Sequence, residues 1–333
     1  MKRTVTIRDV AKKAGVSRQT VSRAINSKDG ISPETRERVL AVARELGYRP
    51  NSIARSLKTH RTLTIGLVVP DIANPFFAEV ARGASEVAYS MGYSVLLCNT
   101  DERPDREWSI LRTLEAHRVD GLVLISSRLD DHMLAEVTDG ARPVVVVNRL
   151  QPPRPGVGCV LVNDAAAAMV AVRHLLDRGH RRIGFLAGTP DSRSSRERRR
   201  GYLQAMREAG IPLDDAWCAS CAPNVEGGRQ AAYELLRHKP ELTALLAYND
   251  LVAVGAEQAC QMLGRPVPEG CALVGWDDII FASYVSPPLT TMHMPKYQMG
   301  ERAMRLLLDL IAHPDARPET TVLEAELVIR TST

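Results

Sequence analysis

Arg18, Gln19, Ser22 and Arg23 stand close together near the start of the chain, and each carries a side chain suited to reading base edges. Arginine makes a forked pair of hydrogen bonds to guanine, glutamine makes the equivalent pair to adenine, and serine bonds to several bases. For that chemistry the four must project from one rigid support. Val21, Ala24 and Ile25 recur at helical spacing and mark the opposite, apolar face. A solvated amphipathic helix would show the same pattern, so pattern alone leaves both readings open.

The elements around this helix separate them. A preceding helix is predicted from Ile7, Val10, Ala11 and Ala14, with Thr6 as N-cap, Asp9 in its first turn and Gly15 at its end. Ser17 is placed to cap the second helix. Ser32-Pro33-Glu34 opens a third, with Val39, Val42 and Leu46 as its core face and Gly47 at its end. Two short helices joined by a glycine-containing turn form a helix-turn-helix, whose second helix enters the major groove. Charge points the same way. Residues 1–60 carry 14 Lys and Arg against 5 Asp and Glu, whereas the other 273 carry 29 against 34. A basic head on a mildly acidic body confines nucleic-acid binding to one end.

The run Thr6-Ile7-x-Asp9-Val10-Ala11-x-x-Ala14-Gly15-Val16-Ser17-x-x-Thr20-Val21-Ser22-Arg23 resembles the opening of the lactose-repressor family of bacterial transcription regulators. Gly47-Tyr48-Arg49-Pro50-Asn51-Ser52-Ile53-Ala54-Arg55-Ser56-Leu57 resembles that family's hinge segment. The resemblance implies a hinge stub that forms on DNA beside its partner's copy, with Asn51, Ala54, Arg55 and Leu57 at the minor groove and Leu57 wedged between base pairs. A stub this short is marginal alone, because nucleation costs more than its few hydrogen bonds return. An inserted apolar side chain kinks the duplex. The alternative is a leucine packed on the next domain.

From Thr64 onward, short apolar strands alternate with helices. Ile65–Val69, Ser94–Cys98, Gly121–Ile125 and Val144–Val147 read as buried parallel strands, with helices near 75–91, 105–118 and 131–139. A second series follows: strands at Ile183–Leu186, Ala244–Ala247 and Ala272–Val274, and helices near 165–178, 196–209, 226–238 and 250–263. A late helix is expected at about 296–312. The fold class is therefore an all-α helix-turn-helix head on an α/β body of two doubly wound parallel-sheet lobes, and that body resembles a periplasmic sugar-binding protein. The domains are a DNA-binding head at 1–50, a hinge and linker at 51–62, and an effector-binding and dimerisation body at 63–333. Lobe one takes about 63–160 and 291–321, and lobe two about 163–288 and 323–333. The three passages between lobes are expected near Val160–Asn163, Leu289–Thr291 and Thr321–Leu323.

A cleft between two such lobes, lined by strand ends, is where a small ligand belongs. Asp71, Phe76 and Phe77 follow the first strand, and Asn148 and Arg149 the fourth. Arg196, Asn249 and Asp277 follow strands of lobe two. Aromatic faces stack on sugar rings while Asn, Asp and Arg bond hydroxyls. The resemblance assigns ligand contact to Phe76, Asn148, Arg196, Asn249 and Asp277. It also marks a departure: several relatives place an aromatic ring near Pro223-Asn224, and its absence here argues against a planar purine sandwich. The arginine run from Arg193 to Arg200 reads as a solvated face, or as a holder of a sugar carboxylate or phosphate.

Other functions lack their signatures. No Gly-x-Gly-x-x-Gly follows a strand, and no Walker loop or nucleophile elbow is present, so an enzyme is not expected. The six cysteines include one isolated pair, Cys218 and Cys221, without further ligands, and neither metal nor cofactor is expected. No apolar signal core or run of about 18 apolar residues appears, which predicts a cytoplasmic protein with no membrane partner. The expected function is a transcriptional repressor. It would bind a palindromic operator in double-stranded DNA as a homodimer, under allosteric control by a sugar, sugar acid or sugar phosphate. The alternative is a sugar or sugar-acid receptor acting as an activator or corepressor-dependent regulator.

Overall fold

The computed structural model describes residues 5–25, 29–48, 61–152, 154–212 and 214–333. The chain divides into two units, Met1–Thr62 and Leu63–Thr333. In the first, α1 (Ile7–Ala14), α2 (Arg18–Ile25) and α3 (Pro33–Glu45) enclose a small core of Val10, Val21, Ala24 and Val39. Side chains set the helix starts. Asp9 Oδ2 accepts from the Thr6 amide at 2.8 Å, Ser17 Oγ from the Thr20 amide at 3.0 Å, and Ser32 Oγ from the Thr35 amide at 3.3 Å. Gly15 ends α1 at φ 66°, a left-handed conformation that favours glycine.

The second unit holds two six-stranded sheets. Lobe one is built on β1 (Thr64–Val69), β2 (Ser94–Asn99), β3 (Gly121–Ile125), β4 (Val144–Val147), β5 (Val157–Val162) and β11 (Thr321–Leu323), in the order β11-β5-β4-β3-β1-β2, all parallel. Val145 and Val147 face α4 (Pro75–Ser90) and α11 (Lys296–Ala312). Val144 and Val146 face α5 (Pro104–Ala116) and α6 (Asp131–Thr138). Covering both faces is why these strands read as continuous apolar runs. Helices α4 and α11 cross at Gly83 and Gly300, where a Cβ would lie 2.2 Å from Tyr297 O and 1.9 Å from Val80 O, so only glycine permits the approach.

Lobe two has β6 (Ile183–Ala187), β7 (Cys218–Ser220), β8 (Ala244–Ala247), β9 (Ala272–Asp277), β10 (Thr290–His293) and β12 (Glu326–Val328), ordered β12-β10-β9-β8-β6-β7. Its strands are parallel except β12, which runs antiparallel to β10. Its helices are α7 (Asp164–Asp177), α8 (Arg193–Glu208), α9 (Val225–His238) and α10 (Asp250–Met262).

The chain passes between sheets at 162–164, 293–296 and 323–326. The last two lie a few residues beyond the expected positions, because Thr290–His293 and Thr321–Leu323 are themselves strands paired in their sheets. A second difference concerns β2, expected to be buried. It is an edge strand with Leu96 and Leu97 exposed, since only β1 pairs with it.

Candidate functional site

In the head, Arg18, Gln19 and Arg23 are exposed on α2 and Ser22 is half-buried, while Val21 and Ala24 lie in the core. The four base-reading candidates thus share the solvent side of a capped helix. Asn51, Ala54, Arg55 and Leu57 lie outside the described residues.

In the body, a cleft opens between the lobes, walled by Asn74, Phe76, Phe77 and Asn148 from lobe one and Arg198, Asn249 and Asp277 from lobe two, among others. The sequence-predicted residues Phe76, Phe77, Asn148, Asn249 and Asp277 are therefore brought together. Pro75 begins α4 and Asn74 caps it, accepting from the Phe76 amide at 3.0 Å, so both phenyl rings leave the first turn. They meet edge to face with centroids 5.0 Å apart. Asn148 follows β4 in a left-handed conformation (φ 61°) and donates from Nδ2 to Ser126 Oγ at 3.2 Å. Asn249 caps α10 through Oδ1 and donates from Nδ2 to Pro223 O at 3.2 Å, so it is both a helix cap and part of the cleft wall.

Three predicted residues are placed elsewhere. Asp71 turns the chain into α4 by accepting from the Ala73 amide. Arg149 is buried away from the cleft and bonds Leu129 O and Asp131 Oδ1. Arg196 is exposed and donates to Pro190 O at 2.6 Å. The arginine of the Arg193–Arg200 run that lines the cleft is Arg198. Helix α8 begins at Arg193 behind the Ser192 cap, three residues earlier than predicted, and its buried face is Ser194, Ser195, Arg198, Gly201 and Tyr202. Two residues before Arg198, Arg196 is turned about 200° away. The apolar stripe that follows, Tyr202, Ala205 and Met206, was the available signal for this register.

Arg198 is held rigidly. Its Nε donates to Asp164 Oδ1 at 2.9 Å and its NH1 to Tyr248 O at 2.5 Å. The guanidinium carbon lies 4.4 Å from the Trp276 ring centroid and 4.9 Å from that of Tyr248. Burial pushes the Asp277 carboxyl well above the ordinary carboxylate range, against the pull of Arg198. Behind it Asp250, fully buried, accepts from Thr291 Oγ1 at 2.6 Å and the Ile279 amide at 2.8 Å, yet desolvation still lifts it to about 7. Sequence reasoning also missed Glu102, Ser126 and Tyr248, all lining residues. Glu102 and Ser126 sit beyond strand ends, where the rule that found Phe76 could have found them. Among the described residues, no group of acidic, His and Cys side chains could hold a metal.

Comparison with known proteins gives matches along the whole chain. Residues 6–51 match bacterial regulatory proteins of the lacI family, and residues 62–331 match periplasmic binding proteins and the sugar-binding domain of the LacI family. The HTH-type transcriptional repressor PurR of Mannheimia succiniciproducens is 36% identical over 327 residues, 98% of each chain. A lac repressor dimer bound to operator and the anti-inducer ONPF aligns over 99% of each chain, with TM-score 0.90 and 30% identity. A complex of the transcriptional regulator CelR with cellobiose aligns over 99% of this chain and 100% of its own, with TM-score 0.74 and 33% identity.

Proposed function

The chain belongs to the LacI family of bacterial regulatory proteins, DNA-binding transcriptional repressors with small-molecule effectors, and on that premise we propose a homodimeric repressor controlled by a neutral sugar. The observation that carries the choice of ligand is the state of the cations at the cleft. Arg198 is paired with Asp164, Arg128 with Glu102 at 2.5 Å, and Lys296 Nζ is turned to the carbonyls of Asp277 and Asp278. A carboxylate or phosphate entering here would have to compete with Glu102 for Arg128 and with Asp164 for Arg198 in a poorly solvated site. The arginine run does not relieve this. Arg200 pairs with Glu197 and Arg199 with Asp215 on the outer side of α8. Hydroxyls suit the cleft better: among the described residues, Asn148 Oδ1 and Ser194 Oγ are buried without a hydrogen-bond partner, one on each wall.

Ligand would then join the lobes, ring stacking on Phe76 and hydroxyls bonded by Arg198, Asn249 and Asp277, with Asn148 opposite. Closure shifts operator affinity by the ligand's differential affinity for the two states, about 1–3 kcal/mol in typical cases. The hinge residues Asn51, Ala54, Arg55 and Leu57 carry that shift to DNA in this reading. Exposed apolar side chains support a dimer joined through both lobes: Tyr89, Leu96 and Leu97 on lobe one, and Ile280, Phe281 and Tyr284 on lobe two. Action on DNA places the protein in the cytoplasm, and no helix among the described residues is long and apolar enough to cross a membrane.

Thermal-shift titration of the full chain tests the ligand class. Neutral sugars raise the melting temperature, by about 2.7 kcal/mol of stabilisation at a hundred times Kd. A response confined to sugar acids or sugar phosphates would sink this reading. In the head, Gln19→Ala loses roughly 1–3 kcal/mol of discrimination at one base pair per half-site. Uniform weakening across all positions in a binding scan would show that Gln19 reads no base.

A further inference from the structure

The turn that follows β9 in lobe two is held from lobe one. Asp277 and Asp278 both have left-handed φ, at 107° and 52°, and neither is glycine. Strain of this kind persists only where the surroundings over-determine it. Here two consecutive peptide groups are each pinned at both ends. Between Asp277 and Asp278, the carbonyl accepts from Lys296 Nζ and the amide donates to Thr291 Oγ1 at 3.4 Å. Between Asp278 and Ile279, the carbonyl accepts from Lys296 Nζ at 2.8 Å and the amide donates to the buried Asp250 Oδ2 at 2.8 Å. The two amides are thus held within lobe two, and both carbonyls by one ammonium.

That ammonium rides on the other lobe. Lys296 is the first residue of α11, at the end of the passage at 293–296, and α11 crosses α4 of lobe one at Gly300. The next residue, Tyr297, fixes this turn of the helix there. Its phenol donates to Glu86 Oε2 on α4 at 2.6 Å, and the Arg82 guanidinium carbon lies 5.1 Å from its ring centroid. The lysine sits where a cation is disfavoured. The positive end of a helix dipole repels it, no acid lies in the first turn of α11, and burial pulls its pKa below the ordinary lysine range. What offsets these costs is the pair of carbonyls it reaches.

We propose that Lys296 is a positioning residue for effector recognition: from lobe one it fixes the backbone that presents Asp277 at the lobe-two wall of the cleft. Asp277 lines that cleft, so the consequence for recognition rests on the reading of the cleft as the effector site. Through this ammonium, a contact made at Asp277 and the angle between the lobes bias each other, as linked equilibria must. The competing holder of the turn is the Asp278 carboxylate, which accepts from Arg330 NH2 at 2.7 Å and from His293 Nδ1 at 2.9 Å.

Hydrogen exchange on the full-length protein without effector separates the two. Lys296→Met keeps an apolar stem and removes the donors. It should speed exchange of the Ile279 amide in lobe two about tenfold, the low end for losing a hydrogen bond to a charged group. It should not speed exchange of the Met299 amide, which bonds Pro295 O at 2.9 Å within α11, because removing a cation from a helix N-terminus favours that helix. Lys296→Arg, whose guanidinium also offers donors to two carbonyls, should bring Ile279 back to within about threefold of wild type. Unchanged exchange at Ile279 in Lys296→Met would show that the Asp278 carboxylate holds the turn, and would overturn the proposal. Equal loosening of Ile279 and Met299, the mark of a local loss of structure, would overturn it too. Exchange is read without ligand. If the cleft proves not to take the effector, the Ile279 result stands and only its consequence for recognition falls.

Discussion

The two walls of the cleft are built from different chemistry. Lobe one contributes the crossed rings of Phe76 and Phe77 and the neutral Asn74, Ser126 and Asn148, with Glu102 at the edge already paired to Arg128. Lobe two contributes Arg198, Asp277, Asn249, Ser194 and Tyr248, backed by Asp164, Asp250 and Trp276. The lobe-two wall is pre-organised: Arg198 is locked by one carboxylate, one carbonyl and two rings, and it needs no rearrangement to meet a ligand. The lobe-one wall supplies a stacking surface and unpaired acceptor capacity. Under the proposed function, this contrast would make lobe two the wall that orients the ligand and lobe one the wall that closes over it.

The harshest way to break this contrast is Arg198→Ala. It leaves Asp164 buried without its partner, and breaking such a pair costs about 3–5 kcal/mol of folding stability. Urea unfolding should show that loss, together with disappearance of ligand stabilisation. Stability within 1 kcal/mol of wild type would mean that the ionic wall is not pre-organised by this pair.

Asp250 sharpens the comparison through pH, because only the lobe-two wall has a carboxyl lifted to about 7 behind it. A carboxyl raised on folding contributes stability that is fully present below its unfolded value near 3.8 and is lost as pH rises through about 7. Between pH 5 and 8, wild type should therefore lose on the order of 2–3 kcal/mol relative to Asp250→Asn. Parallel melting-temperature curves for the two proteins would contradict this.

On the lobe-one wall, Phe76→Leu keeps an apolar side chain but removes the ring. Effector binding should weaken by about 0.5–1.5 kcal/mol, the usual worth of an aromatic pair beyond its area, and titration calorimetry measures it. The smallest effect belongs to Arg196→Ala. Because this side chain is exposed and bonds only Pro190 O, stability and effector response should stay within about 0.5 kcal/mol of wild type. A large loss of response there would return the ligand to the outer face of α8.

Much of the head was legible because its signals are local. Caps, a turn glycine and a three-to-four-residue apolar spacing act within about twenty residues, and together they set which side of α2 faces solvent. The alternating strands and helices of the body were legible for the same reason, since a strand covered on both faces has to be apolar throughout. Phe76, Asn148, Asn249 and Asp277 followed from the rule that ligands sit beyond strand ends.

What only the tertiary structure decided is which side chains share space across long separations. Arg198 rather than Arg196 lines the cleft because α8 packs its Ser194, Ser195, Gly201 and Tyr202 face inward, and within the arginine-rich run itself nothing distinguishes one arginine from the next. Phe76 and Asp277 wall one cleft only because the chain passes three times between sheets and brings strand ends of different lobes face to face. Local periodicity holds orientation within an element. The meeting of two elements more than a hundred residues apart depends on the packing of everything between them.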